Sequence, residues 1–222
     1  DTARACHDLG LSAIAVTAGY LTDTARSDFF SLIDAANIDL KGFTEDFYQK
    51  FTGGHLQPVL DTIQYAVRET GCWIELTNLV IPGANDDPDS LKRMIDWILT
   101  EIGCDVPIHF TAFHPDFQMR DISATPHEIL LLAYETAMQS GLNYVYIGNV
   151  HDVARQSTFC PKCQKPLIQR DWHQITDYNL DLNRCRQCDT LIPGRFEMEA
   201  GRWGRQRQPV TVKPQISPAS KP

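Results

Sequence analysis

Residues 38–43, with the sequence IDLKGF, place two opposite charges at the end of a short apolar run. The preceding residues, FFSLIDAAN (29–37), have the pattern of a helix end, so we predict a buried strand that ends in Asp39 and Lys41. Burying such an ion pair is costly unless neighbouring groups compensate. The pair is therefore either a structural salt bridge within a sheet or part of a site for a polar ligand.

The segments on both sides of this strand alternate between two patterns, one typical of strands and one typical of helices. Such alternation predicts an α/β fold, in which a parallel sheet is covered by helices and closes as a barrel or stays open and doubly wound. Strands are predicted over 11–17, 37–41, 72–81, 106–113 and 143–148, and helices over 1–10, 24–36, 58–70, 87–103 and 125–141.

Two helix starts carry clear capping signals. Asp87 is followed by Pro88, which suits the first helical position, and Thr125 with Glu128 has the spacing of a capping box. Both helices then continue with apolar residues at helical spacing. We therefore predict helices capped by Asp87 and by Thr125.

Polar residues gather where the predicted strands end. Thr17, Asp39, Lys41 and His114 all lie at such ends, and the carboxyl ends of parallel strands form the active face of α/β folds. His114 could equally be a capping or core histidine. Within the strands, Glu75 could line a barrel or face solvent, and His109 is predicted to be structural.

Charge and composition exclude several classes of protein. Residues 1–150 contain 8 basic and 21 acidic side chains, whereas residues 151–222 contain 12 and 7, so the larger part is a poor candidate for binding nucleic acid. No apolar stretch is long enough to span a bilayer, and no export signal opens the chain, so we expect a cytoplasmic protein. The chain opens inside a helical pattern and its first methionine is Met94, so we expect a fragment that begins within a domain.

Four cysteines form two CxxC pairs near the C-terminus. Cys160 and Cys163 are separated from Cys185 and Cys188 by 21 residues, a spacing typical of a zinc ribbon that could also hold iron. The alternatives are two disulfides or four free thiols. Cys6, Cys72 and Cys104 stand alone and are predicted to be packed thiols.

Several of these segments together resemble one family. NIDLKGF (37–43), TNLVIPGANDD (77–87), FHPDFQM (113–119) and YVYIGNV (144–150) precede a cysteine ribbon that ends in IPG (192–194). In this order they resemble the radical SAM enzyme of the AmmeMemoRadiSam system, which is related to the pyruvate formate-lyase activating enzymes. The resemblance covers nearly all of residues 1–196.

The resemblance implies the C-terminal portion of a partial (β/α)6 barrel in residues 1–150 and a zinc-ribbon-like module in 151–196. Residues 197–222 are rich in Arg, Gln, Pro, Ser and Lys with few apolar residues, a composition that predicts a disordered tail. The resemblance further implies that S-adenosylmethionine is cleaved reductively at a [4Fe–4S] cluster to give a 5′-deoxyadenosyl radical that abstracts hydrogen. The related activating enzymes imply that the substrate is a partner protein. The ribbon is the part of the chain that we expect to dock a partner.

By the same resemblance, Asp39, Lys41, His114 and Thr17 contact the S-adenosylmethionine. The family's CxxxCxxC cluster motif does not occur in the sequence, so we expect this fragment alone to be inactive. A non-catalytic scaffold, built from a barrel and a zinc ribbon, is the alternative function.

Overall fold

Five parallel strands form one sheet in the sequential order β1-β2-β3-β4-β5 in the structure, a computed structural model that describes residues 1–201. Helices connect the strands, as the alternating sequence predicts. The elements of this part are α1 (Thr2–Asp8), β1 (Ile14–Thr17), α2 (Asp23–Phe30), β2 (Ala35–Asp39), α3 (Glu45–Phe47), a π-helix (Tyr48–Thr52), α4 (Leu56–Glu69), β3 (Trp73–Val80), α5 (Pro88–Glu101), β4 (Ile108–Ala112), α6 (His127–Ser140) and β5 (Val145–Gly148).

The two faces of the sheet differ in chemistry. Ile38, Leu76 and Phe110 are fully buried in the main core, on the face that the helices cover. Each buried side chain of this size contributes about 1.5–3 kcal/mol to stability. We call this side the helix face. The other side carries polar residues that pair across the strands, and we call it the open face; its central members are Asn37, Asp39, Glu75, Thr77, His109 and Tyr146.

Helix α5 begins as predicted. The Asp87 carboxylate accepts a hydrogen bond from the Ser90 amide at 2.8 Å, and Pro88 occupies the first helical position. Met94, with its apolar neighbours, lies on the buried side of the helix. The local sequence is thus sufficient to define this element.

The predicted capping box at Thr125 is wrong. Helix α6 begins at His127, and Pro126 is its N-cap. The Thr125 hydroxyl instead donates to the Val80 carbonyl at 2.6 Å and accepts from the Phe113 amide at 2.8 Å. These long-range bonds connect the ends of β3 and β4. Because the Thr125 hydroxyl bonds these strands, it does not cap the helix as the local sequence predicts.

A second, smaller core forms behind β5. It lies within a three-stranded antiparallel sheet and a pair of short strands. We call these strands and their connecting turns the cysteine module. The elements are α7 (Val153–Gln156), β6 (Thr158–Phe159), β7 (Pro166–Asp171), β8 (Gln174–Tyr178), β9 (Leu180–Asp181) and β10 (Arg184–Cys185). Tyr144, just before β5, packs in this core with Leu167 and Ile192. The module therefore packs directly on the main sheet.

The remaining predictions at this level concern the tail and the membrane. Residues 197–201 form no helix or strand, and residues 202–222 of the predicted tail lie outside the described residues. None of the helices within residues 1–201 has the length and apolar character needed to cross a bilayer.

Candidate cofactor and metal sites

The charged pair at the end of β2 is in direct contact. Lys41 Nζ lies 2.8 Å from Asp39 Oδ2, and the two side chains are 37% and 25% exposed. Partial exposure reduces the desolvation cost that a fully buried pair would carry, and it leaves both groups able to contact a ligand. The salt bridge therefore exists, and it is compatible with either of the interpretations that the sequence allows.

Asn85 holds this strand end in place. Its amide nitrogen donates to the carbonyls of Lys41 at 2.5 Å and Leu79 at 2.8 Å, while its oxygen accepts from the Ile81 amide at 2.6 Å. The side chain is buried and comes from the turn after β3. The backbone that carries Lys41 is thus fixed to the neighbouring strand. The sequence marks Asn85 only as a turn residue, so its positioning role was missed.

A cavity of about 210 Å³ opens beside the pair, and we call it the strand-end cavity. Most of its lining is apolar, with a few polar groups, which is typical of small-molecule sites. One of these groups, the buried Tyr48 hydroxyl, has no acceptor for its proton within residues 1–201. Asp39, Lys41 and this hydroxyl are of the types that can bind the charged and hydroxyl groups of S-adenosylmethionine. The lining is Ala18, Tyr20, Asp39, Lys41, Tyr48, Thr52 and Val59.

The other two predicted cofactor residues lie apart from this pair. His114 is exposed, and its Nε2 lies 3.2 Å from the Asn149 carbonyl. Because β3 separates β2 from β4, His114 is about 10 Å from the end of β2 by ordinary strand spacing. Thr17 pairs in register with Ile38, and its hydroxyl accepts from the Gly19 amide at 3.1 Å. Thr17 therefore shares the helix face, and the structure joins only Asp39 to Lys41.

The open face contains a polar network that the sequence did not reveal. Glu75 Oε2 lies 2.7 Å from His109 Nε2, and the Trp73 indole donates to Glu75 Oε1 at 3.2 Å. The His109 ring stacks on Tyr146 with centroids 4.9 Å apart. His109, which is predicted to be structural, thus points toward the open side. Residue alternation along β3 and β4 carries this signal, but the strand pairing is needed to see that the two side chains meet.

The cysteine module adds a cation to this network. Arg170 on β7 donates to the Thr158 hydroxyl at 2.8 Å, and its guanidinium lies 5.9 Å from the Tyr146 ring centre. Burial pushes the pKa of Glu75 upward, but the His109 hydrogen bond, the Trp73 hydrogen bond and the Arg170 charge outweigh it and leave that pKa lowered. A cavity of about 550 Å³ lies between the sheet and the module here.

The four module cysteines converge on one point. All four Sγ atoms lie within 4.8 Å of one another, with Cys160 and Cys188 at 3.6 Å and Cys163 and Cys185 at 3.7 Å. A tetrahedral zinc with Zn–S bonds of about 2.3 Å requires sulfurs about 3.8 Å apart. The set of donors and its geometry therefore fit one zinc or iron ion.

The two CxxC pairs have the same local backbone structure. Gln164 and Asp189 each follow the second cysteine of a pair with φ of 58°, and their amides donate at 2.9 Å to the carbonyls of Cys160 and Cys185. The Thr190 hydroxyl and amide lower the pKa of the Cys188 thiol to about 6, whereas burial and the neighbouring thiols raise the pKa of Cys163 to about 12. Each turn thus presents two sulfurs to the same side.

The remaining cysteines do not form a second site. Cys6 lies in α1, Cys72 precedes β3 and Cys104 follows α5. Within residues 1–201 the module supplies the only group of three or more potential ligands close enough to share an ion. Among the described residues, Cys6, Cys72 and Cys104 belong to no such group.

Comparison with known proteins relates the chain to two curated proteins. It is 39% identical over 195 residues to an uncharacterized protein of Methanocaldococcus jannaschii, covering 86% of this chain and 57% of the relative. It is 26% identical over 185 residues to the GTP 3′,8-cyclase of Lactiplantibacillus plantarum, covering 73% of the chain and 54% of that enzyme. The chain thus spans about half the length of these relatives. No family model matches the chain.

Solved structures give the fold. A domain of the pyruvate-formate lyase-activating enzyme from Bacteroides vulgatus superposes with a TM-score of 0.59 at 17% identity, covering 67% of this chain and 88% of that domain. SuiB from Streptococcus suis gives 0.53 at 10% identity, covering 67% and 35%. Both have the radical SAM fold. The parallel sheet is therefore part of a barrel of the radical SAM type, and a ribbon-like cysteine module follows it.

Proposed function

We propose that this chain is the C-terminal part of a radical SAM enzyme, which cleaves S-adenosylmethionine reductively at a [4Fe–4S] cluster to start hydrogen abstraction. In this proposal, residues 1–150 are barrel and residues 151–196 are the metal module, while the cluster ligands come from outside the described residues. The observation that carries the proposal is the Asp39–Lys41 pair beside the strand-end cavity in a fold of this type.

Each candidate residue has a role that follows from its chemistry. Lys41 can donate to the carboxylate of S-adenosylmethionine, and Asp39 can accept from its amino group or a ribose hydroxyl. His114, at the end of β4 two strands away, can hydrogen-bond the ribose or the adenine edge. Thr17 is a weaker candidate because its hydroxyl already accepts a hydrogen bond from the Gly19 amide. This chain's part in the reaction is to bind and orient the cofactor.

The test is the S-adenosylmethionine affinity of the complete, cluster-loaded protein. Asp39→Ala and His114→Ala should each weaken binding about 10- to 150-fold, since a lost hydrogen bond to a charged group costs about 1.5–3 kcal/mol. Asp46→Ala, which removes an exposed acid from α3, is the control and should bind normally. Wild-type affinity in both folded variants would remove the site assignment. The scaffold alternative predicts that no variant, nor the wild type, binds the cofactor.

We further propose that the cysteine module holds a structural zinc ion. Its four sulfurs pack with Tyr144 before β5, whereas the strand-end cavity lies at the opposite, carboxyl ends of the strands. An ion enclosed by four thiolates has no open position for substrate, which is typical of structural sites. Metal analysis of purified protein should find one zinc per chain, and iron in its place would correct the identity of the ion.

The proposed substrate is a partner protein. Support comes from the fold shared with an activating-enzyme domain. A partner that docks on the cysteine module would meet exposed apolar side chains such as Leu182 and Leu191, because Arg170 already faces Tyr146 of the sheet. Loss of partner activation in Leu191→Asp, with S-adenosylmethionine cleavage intact, would support the docking role.

A further inference from the structure

Two buried tyrosine hydroxyls within residues 1–201, those of Tyr48 and Tyr144, have no acceptor for their proton. A buried hydroxyl without a partner is unfavourable and uncommon in folded proteins. The two differ in their surroundings, since Tyr144 belongs to the core of the cysteine module and Tyr48 lines the strand-end cavity. Only Tyr48 lies beside the candidate cofactor residues.

The surroundings of Tyr48 keep its hydroxyl in place. Its ring packs edge-on against Phe47, at 5.9 Å between centroids, and Phe47 in turn packs closely on Gly42. The Thr52 hydroxyl donates to the Tyr48 carbonyl at 2.8 Å across the π-helix. π-helical turns occur often at functional sites. The phenol is therefore held in the cavity wall without a protein acceptor.

The hydroxyl is also a proton donor at neutral pH. Burial raises the pKa of Tyr48 to about 12, a hydrogen bond that its oxygen accepts from the Lys41 backbone amide opposes this rise, and the Asp39 charge adds to it. A neutral phenol beside the Lys41 ammonium offers a second donor to the same region of the cavity. Ligand oxygens are the acceptors that such a pair of donors would bind.

We propose that Tyr48 is a further cofactor-binding residue, whose hydroxyl donates a hydrogen bond to an oxygen atom of S-adenosylmethionine in the strand-end cavity. This inference rests on the proposed function, and it adds a residue that neither the sequence motifs nor the comparisons assign. It explains why the buried Tyr48 hydroxyl has no acceptor in the protein alone.

The experiment compares Tyr48→Phe with Tyr144→Phe in the complete, cluster-loaded protein, using equilibrium dialysis against S-adenosylmethionine. Both changes delete one unpartnered hydroxyl and keep the ring, so both variants should unfold at the wild-type temperature or slightly above it. Tyr48→Phe should weaken cofactor binding about tenfold, which corresponds to one hydrogen bond of about 1.4 kcal/mol. Tyr144→Phe should bind as the wild type does.

Each other outcome counts against a specific part of the account. If the wild type binds and Tyr48→Phe binds equally well, the inference is wrong and the proposed function stands. If Tyr144→Phe loses as much affinity as Tyr48→Phe, or if Tyr48→Phe fails to fold, the hydroxyl acts on structure and the inference is overturned. If the wild type itself does not bind, the proposed function fails and the inference fails with it.

Discussion

Cys163 is one of four sulfurs that enclose a single point, in a module with a small apolar core. Structural zinc contributes about 10–16 kcal/mol to the folding of small zinc-finger peptides. We therefore expect Cys163→Ser to release the metal and unfold the module, while the main sheet stays folded around its own core. Metal content, together with hydrogen exchange resolved by peptide, measures both effects.

Cys104→Ser is the matched control, because this cysteine lies outside the module and in no ligand group of the described residues. It should retain the metal and the exchange pattern of the wild type. A Cys163→Ser protein that keeps its metal in full would contradict the four-cysteine site. Loss of protection throughout β2 and β3 would show that the two cores fold as one unit.

Glu75 gives a pH-dependent contribution to stability. Its pKa is lowered in the folded protein from an ordinary value of 4.5, so the folded state favours the carboxylate. The resulting stabilisation is complete above the ordinary pKa and is lost as the pH falls through the lower, folded value. Since the side chain is 37% exposed, solvent screens the interaction to about 1 kcal/mol.

Glu75→Gln should therefore lower the unfolding temperature at pH 7, and the difference from the wild type should shrink below about pH 4. Thermal unfolding of both proteins at pH 7 and pH 3.5 measures this difference. Glu69→Gln, which changes an exposed residue on α4, is the control and should show little effect at either pH. If the difference in unfolding temperature is the same at both pH values, Glu75 contributes to stability through its packing and not through its charge.

At the scale of elements, β1 is an edge strand with an apolar surface. It pairs only with β2 among the described strands, and its Ile14 and Val16 are 72% and 81% exposed. Unpaired strand edges of this kind promote association between chains. We expect this chain to self-associate and Val16→Lys to reduce the associated fraction, with a change in stability of about 0.5 kcal/mol or less.

Light scattering during size-exclusion chromatography measures the effect. Leu132→Lys, which adds the same charge to an exposed position on α6, is the control and should associate as the wild type does. If Val16→Lys and Leu132→Lys behave alike, net charge and not the β1 edge controls the association.

Elements that depend on local signals could be predicted from the sequence. Asp87 and Pro88 define the start of α5 because their partners are within one turn, and the alternation of apolar segments defines the order of strands and helices. Thr125 shows the limit of this reasoning. Its hydroxyl finds acceptor and donor on two distant strands, a competition that no local pattern can reveal.

The candidate sites also differ in how far they depend on local sequence and how far on the fold. The CxxC spacing brings the two sulfurs of each pair together within one turn, and the fold of the module then brings the two pairs together. The contact between Glu75 and His109 depends on strand register, and the approach of Arg170 depends on how the module packs on β5. Tyr48 could not be found from the sequence either, since its missing partner is a property of the folded surroundings.

For the whole molecule, the two candidate sites lie at opposite ends of one sheet. The cysteine module packs where β5 begins, and the strand-end cavity opens where β2 ends. Between them, Arg170 lies over the Tyr146 ring and the Tyr146 hydroxyl hydrogen-bonds the Thr158 hydroxyl, so the module is joined to the open face. This arrangement separates the proposed structural metal site from the proposed cofactor site.

The most direct test of the central proposal is the formation of 5′-deoxyadenosine. The complete protein, with its cluster loaded under anaerobic conditions and reduced, should convert S-adenosylmethionine to 5′-deoxyadenosine and methionine in equal amounts, and residues 1–222 alone should form neither. Absence of 5′-deoxyadenosine from a protein that holds a full cluster and binds S-adenosylmethionine would contradict the account. So would its formation by residues 1–222 when the four module cysteines are replaced.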